Sequence, residues 1–182
     1  MNGKTAKITV IGMFVAMASV LSGMPIGITI FGIPATLQTF AMSFLGFMLG
    51  KKYGVAAVIV YILTGLIGLP VFSNFTSGFS ILFGMTGGFL TGFIFLAFFC
   101  GIAADTKKSC LKILLPATGL VICHLSGILQ FSFITRTQIS AAITAVSLPY
   151  LPKDIISIFF AYYVAKILKK IFANAKINIF NH

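Results

Sequence analysis

The chain has 182 residues, of which 59% are hydrophobic and 8% charged, and its mean hydropathy is +1.10. A soluble domain carries about 25% charged residues, so this composition cannot coat a water-facing surface; the solvent it suits is lipid. The net charge is +11, with Asp105 and Asp154 as the acids. Such a charge would ordinarily point to nucleic acid, but the lysines sit in short gaps between apolar runs, as in loops facing anionic lipid, and no nucleic-acid partner is expected.

A helix needs about 20 apolar residues to cross a bilayer, which allows roughly five to seven spans here. Residues 1–182 are therefore read as a single transmembrane domain with no separate soluble one. The first apolar run, Ile8 to Met24, follows Lys4 and Lys7. Its Ala16-Met17-Ala18 resembles a leader-cleavage site, but the run is read as the first span. The second run, Pro34 to Leu49, ends at Gly50-Lys51-Lys52, and the third, Gly54 to Leu69, stops at Pro70. Both are short for simple spans, which calls for tilt, a break or shelter by neighbours. The fourth is expected over Ser80 to Ala104, the fifth over Ile113 to Ile134, and the sixth from Asp154 through Lys166, Lys169 and Lys170. The expected fold is an all-α bundle of six transmembrane helices, with a short tail over Asn174 to His182.

With the N-terminus inside, 11 of the 13 basic residues fall on the inner side, and Arg136 and Lys153 on the outer. This asymmetry predicts both termini in the cytoplasm and an even number of spans. The outer connections then carry the unusual chemistry: uncharged loops at Pro25 to Ile33 and Phe72 to Phe79, and the stretch Ser140 to Asp154.

The chain lacks a G-x-x-x-x-G-K-[ST] phosphate loop, an H-E-x-x-H motif and a carboxylate pair. Intramembrane catalysis needs a nucleophile with a base, or a metal with its ligands. No enzymatic activity, cofactor or metal site is expected. Cys100, Cys110 and Cys123 form no C-x-x-C and read as packing residues.

GLIGLPVFSNFTSGFSILFGMTGGFLTGF, beginning at Gly65, resembles the BioY family, the biotin-binding S component of energy-coupling-factor (ECF) transporters. IPATLQTF (Ile33 to Phe40), CHLSGILQF (Cys123 to Phe131) and LPYLPKD (Leu148 to Asp154) resemble further family segments in the same order. The chain departs from the family pattern at Met85, commonly proline, at Lys153, often glycine, and at Ser157, commonly lysine. The last two read as one cation moved along a helix start. The resemblance implies a ligand pocket near the outer face, biotin as ligand, and partners consisting of a transmembrane T subunit and a pair of ABC-type ATPase subunits. Another vitamin as ligand, or a stand-alone facilitator, are the alternatives.

Biotin presents ureido N–H donors, a ureido carbonyl, an apolar bicycle and a carboxylate, and a buried site must satisfy each polar group. Asp154 is the candidate acceptor for the N–H groups, with a helix N-cap as its alternative role, and Lys153 is the adjacent cation. Asn74 is either a donor and acceptor toward the ureido group or a turn residue. Thr86, Gly87 and Gly88 would aim backbone N–H groups at the ligand from a helix start or serve as small packing residues. Gln38 reaches into a pocket or makes an interhelical hydrogen bond, as does His124. Phe75, with Phe72, Phe79 and Tyr150, is a candidate to sandwich an apolar ring. Gly12 and Ala16, like Ser19 and Gly23, stand one turn apart on the first span and offer a flat face to the partner T subunit or to internal packing.

Overall fold

The computed structural model describes residues 3–30 and 33–174; Lys176 and the tail beyond Asn174 lie outside them. The first apolar run forms α1 (Gly3–Gly23). The uncharged stretch that follows, expected as a loop, forms an antiparallel hairpin of β1 (Pro25–Ile30) and β2 (Ile33–Thr36). Its isoleucines and threonines are β-branched and favour extended backbone. Gly27, at φ 76°, sits where the pairing register shifts.

Next, α2 (Gln38–Leu66) consists of two helical arms that meet at Gly50, whose φ of 76° and ψ of 176° are far from helical and suit glycine alone. The chain reverses there. Gln38 Nε2 donates to Tyr61 Oη at 2.8 Å, although an unbroken helix would hold those residues about 34 Å apart. A Cβ on Gly54 would lie 2.9 Å from Gly46 Cα, so the arms touch backbone to backbone. They are the short second and third runs of the sequence. The first arm rises about 18 Å, less than the bilayer core, and it is sheltered: residues 41–50 are all buried.

The fourth run is not one helix. A single-turn α3 (Phe79–Leu82) and a bend over 83–86 precede α4 (Gly87–Asp105). Gln130 Nε2 donates to the carbonyls of Leu82 and Gly84, at 2.7 and 2.8 Å, replacing partners that a continuous helix would have supplied. Then come α5 (Ser109–Thr135), the short α6 (Ile139–Ala142) running into a π-helical turn at Ile143–Ser147, and α7 (Leu151–Asn174). The long helical segments are α1, the two arms of α2, α4, α5 and α7, a six-helix membrane bundle with the β-hairpin added.

Small residues let these helices approach. A Cβ on Gly92 of α4 would lie 2.6 Å from Cys123 Cα of α5, and one on Gly101 would lie 2.5 Å from Lys51 Cα. Outward from α5, Val121, Leu125, Leu129 and Phe133 form an exposed apolar stripe. In lipid such a stripe carries no penalty, and α4 and α5 are each long and apolar enough to span. The β-hairpin, the 67–86 segment and the start of α7 meet at one end of the bundle, while Lys51, Lys52, Lys107 and Lys108 flank the helix ends opposite.

Candidate functional site

A cavity of about 490 Å³ opens between β2, the first arm of α2, the 72–86 segment, α4 and the start of α7. Its volume is within the range of small-molecule sites. Phe72, Phe89, Leu90, Phe93, Val146 and Tyr150 contribute its apolar wall, and Thr36, Gln38, Thr39, Ser73 and Asn74 are among its polar residues. Among the described residues lining it, Lys153 is the cation and Asp154 the anion.

That pair is the electrostatic centre. Asp154 is 5% exposed and lies inside the first turn of α7, its N–H donating to Tyr150 O at 2.9 Å. It is therefore not the N-cap, and its carboxylate is free of that duty. Lys153 Nζ contacts Asp154 Oδ1 at 2.5 Å and donates to Thr36 O at 3.0 Å, tying α7 to the β-hairpin. His124 Nε2 of α5 stands 3.2 Å from Asp154 Oδ2, and Thr39 is a further partner of the carboxylate. A buried carboxylate without such partners would be costly.

The opposite wall is a tight loop. Asn74 and Phe75 both have φ near 55° (56° and 54°), a left-handed conformation that asparagine tolerates and phenylalanine adopts only when its surroundings impose it. What holds Phe75 there is α1: a Cβ on Gly23 would meet the Phe75 ring at 2.5 Å. Thr76 N–H and Oγ1 both bond Ser73 O, at 3.3 and 2.8 Å. Tyr61 donates to Val71 O at 3.0 Å while accepting from Gln38, so α2 anchors the loop. Ser73 Oγ is buried without a protein hydrogen-bond partner and lines the cavity. A buried hydroxyl of this kind takes its partner from a ligand atom or an ordered water in the cavity.

The BioY family model matches residues 1–174. The chain belongs to the BioY family. A protein of Thermotoga maritima named biotin transporter BioY is 38% identical over 161 residues, covering 88% of this chain and 94% of its own. Biotin transporter BioY2 of Lactococcus lactis is 32% identical over 183 residues, covering 100% and 95%. The fold is that of a crystal structure described as the S-component for biotin from an ECF-type ABC transporter, with a TM-score of 0.81, 24% identity and 93% of each chain covered. The family is one of transporters, not enzymes, and this BioY chain is an integral membrane protein.

Of the residues singled out in the sequence, Gln38, Asn74, Thr86, Lys153 and Asp154 converge on the cavity, as do Phe72 and Tyr150. Asn74 combines both of its readings, a left-handed turn residue that lines the cavity. Phe75 does not line it; half its surface is exposed and the ring covers Gly23. Phe79 is also exposed and outside the lining. Gly87 and Gly88 are buried behind the wall: a Cβ on Gly88 would strike Ser126 O of α5, and one on Gly87 would strike Leu82 O. The smallness of Gly88 lets α4 and α5 approach, and that of Gly87 makes room for the Leu82 carbonyl. In α1, Gly12 and Ala16 face outward, Gly12 with nothing within 4 Å of an added Cβ, whereas Gly23 is internal. Sequence reasoning passed over Thr39, Phe89, Phe93 and Gln130. Gln130 was visible at the end of the CHLSGILQF segment, but its partners, carbonyls 46 and 48 residues away, were not.

Proposed function

We propose that this chain is the substrate-specific S component of an ECF-type importer, a single transmembrane domain that binds biotin in the cavity between α4 and the start of α7. The observation that carries this reading is the Lys153–Asp154 pair set into a cavity otherwise lined by apolar, hydroxyl and amide side chains. A ureido group has N–H donors beside a carbonyl acceptor. Asp154 supplies the acceptor, Lys153 supplies a donor immediately next to it, and Asn74 can supply either. Phe72, Phe89, Phe93 and Tyr150 suit the bicycle. Because Lys153 is committed at the Asp154 end, and a chain of methylenes separates biotin's two polar ends, the ligand carboxylate falls to hydroxyls such as Thr76, Ser80 and Thr86 rather than to Lys153. Relatives named biotin transporters support the choice of ligand.

The chain has no phosphate loop, so energy must come from elsewhere: a transmembrane T subunit and a pair of ABC-type ATPase subunits, with Gly12 and Ala16 on the docking face. The lysine distribution supports the cytoplasmic membrane with both termini inside, and hence a cavity near the outer face. Mass spectrometry of small molecules retained by the detergent-purified protein tests the ligand. Biotin is expected, and retention of a different vitamin with no calorimetric response to biotin would contradict the reading. Biotin uptake by the chain expressed without ATPase subunits would instead show a facilitator.

A further inference from the structure

His124 and Ser147 line none of the cavity, yet they form a buried relay behind it. His124 is 5% exposed and Ser147 4%. Ser147 Oγ stands 2.8 Å from His124 Nδ1, and His124 Nε2 stands 3.2 Å from Asp154 Oδ2. A carboxylate only accepts, so Nε2 must carry hydrogen. With the Nε2–H tautomer, the Nδ1 lone pair accepts the Ser147 O–H. Phe89 meets the imidazole edge-on, with centroids 5.7 Å apart and planes at 88°, fixing the ring from another side. The serine is supplied by the π-helical turn Ile143–Ser147, a rare element frequent at functional sites.

We propose that His124, held by Ser147, is a positioning residue for the ligand. Its Nε2–H fixes the rotation of the Asp154 carboxylate, so that the carboxylate meets the ureido N–H donors in one orientation. The proposal rests on Asp154 being the ureido acceptor. Without His124 the carboxylate turns toward Lys153 and Thr39, and ligand binding must reorder it.

The test is a double-mutant cycle read by biotin titration calorimetry on the full chain. His124→Leu and His124→Asn weaken binding by about tenfold or more. The Asn amide sits where Nδ1 sat, retaining Ser147 but falling short of Asp154. His124→Gln places an amide N–H near Nε2 and restores affinity to within about threefold. In an Asp154→Asn background, His124→Leu costs less than about threefold. Ser147→Ala, a small deletion that keeps the fold if His124→Leu does not, weakens binding severalfold with Asp154 present and not in the Asp154→Asn background. Equal losses in both backgrounds, or His124→Asn matching His124→Gln, overturn the proposal. Asp154→Asn binding biotin as tightly as the native chain would overturn the site assignment itself, a different and separable failure.

Discussion

Gly127 on α5 supports the cavity wall without reaching the cavity. The Phe89 ring lies flat against it, so that a Cβ at position 127 would be 2.5 Å from Cε1 and closer still to two other ring carbons. Carbon atoms in contact sit about 3.5–4.0 Å apart. In Gly127→Ala the ring must therefore withdraw by about 1 Å or more, and the space beside it is the cavity that Phe89 lines. In the free protein that shift is easily accommodated. When ligand fills the cavity the ring must return, and overpacking of this kind costs about 1–3 kcal/mol. Affinity should then fall by about 5-fold to 150-fold, while thermal stability of the ligand-free protein changes little. Gly119→Ala is the control: its Cβ would sit 3.0 Å from Leu96 Cα at the same pair of helices, against residues that do not line the cavity. It should lower stability and leave affinity unchanged. Calorimetry with biotin and a thermal scan on both variants provide the test. Native affinity in Gly127→Ala, or equal affinity loss in Gly119→Ala, would refute the reasoning.

Gln130→Glu should weaken biotin binding more than Gln130→Leu, because a carboxylate would face the Leu82 and Gly84 carbonyls that the amide now donates to; a binding series on the two variants checks the order. For topology, Phe79→Cys, at an exposed position, should react with an impermeant thiol reagent from outside in a background lacking Cys100, Cys110 and Cys123, and Ser109→Cys should not. Gly12→Leu or Ala16→Leu should impair uptake and co-purification with partner subunits while sparing binding, since both residues face outward and helix association in lipid relies on close packing.

The spans were readable because uninterrupted apolar runs between lysines have few alternative structures. The break at Gly50 was readable too, since the Gly-Lys-Lys sequence ends the second run there. The β-hairpin was not. In a chain this apolar, Pro25 to Thr36 shows no polar alternation to separate a strand from a loop or a span. Nor was the break at 83–86, which depends on Gln130 arriving from α5. For the cavity, the polar residues Asn74, Lys153 and Asp154 stood out because polar groups are scarce here. Its aromatic wall did not: with 20 phenylalanines in the chain, choosing Phe89 and Phe93 over Phe75 and Phe79 requires the helix rotation set by the Gly88 and Gly92 contacts with α5. Gly88 packs at that same crossing, whereas Gly87 packs against the Leu82 carbonyl.

The most direct measurement is biotin affinity in Asp154→Asn set against Asp105→Asn. Asp154 lies in the cavity between His124 and Lys153, whereas Asp105 is exposed where α4 ends. Removing the charge at position 154 weakens hydrogen bonds to an ionised acceptor, each worth roughly 1.5–3 kcal/mol, so binding should fall at least about tenfold. The change at position 105 should leave it within error of the native chain. Matching affinities for the two variants would contradict the account.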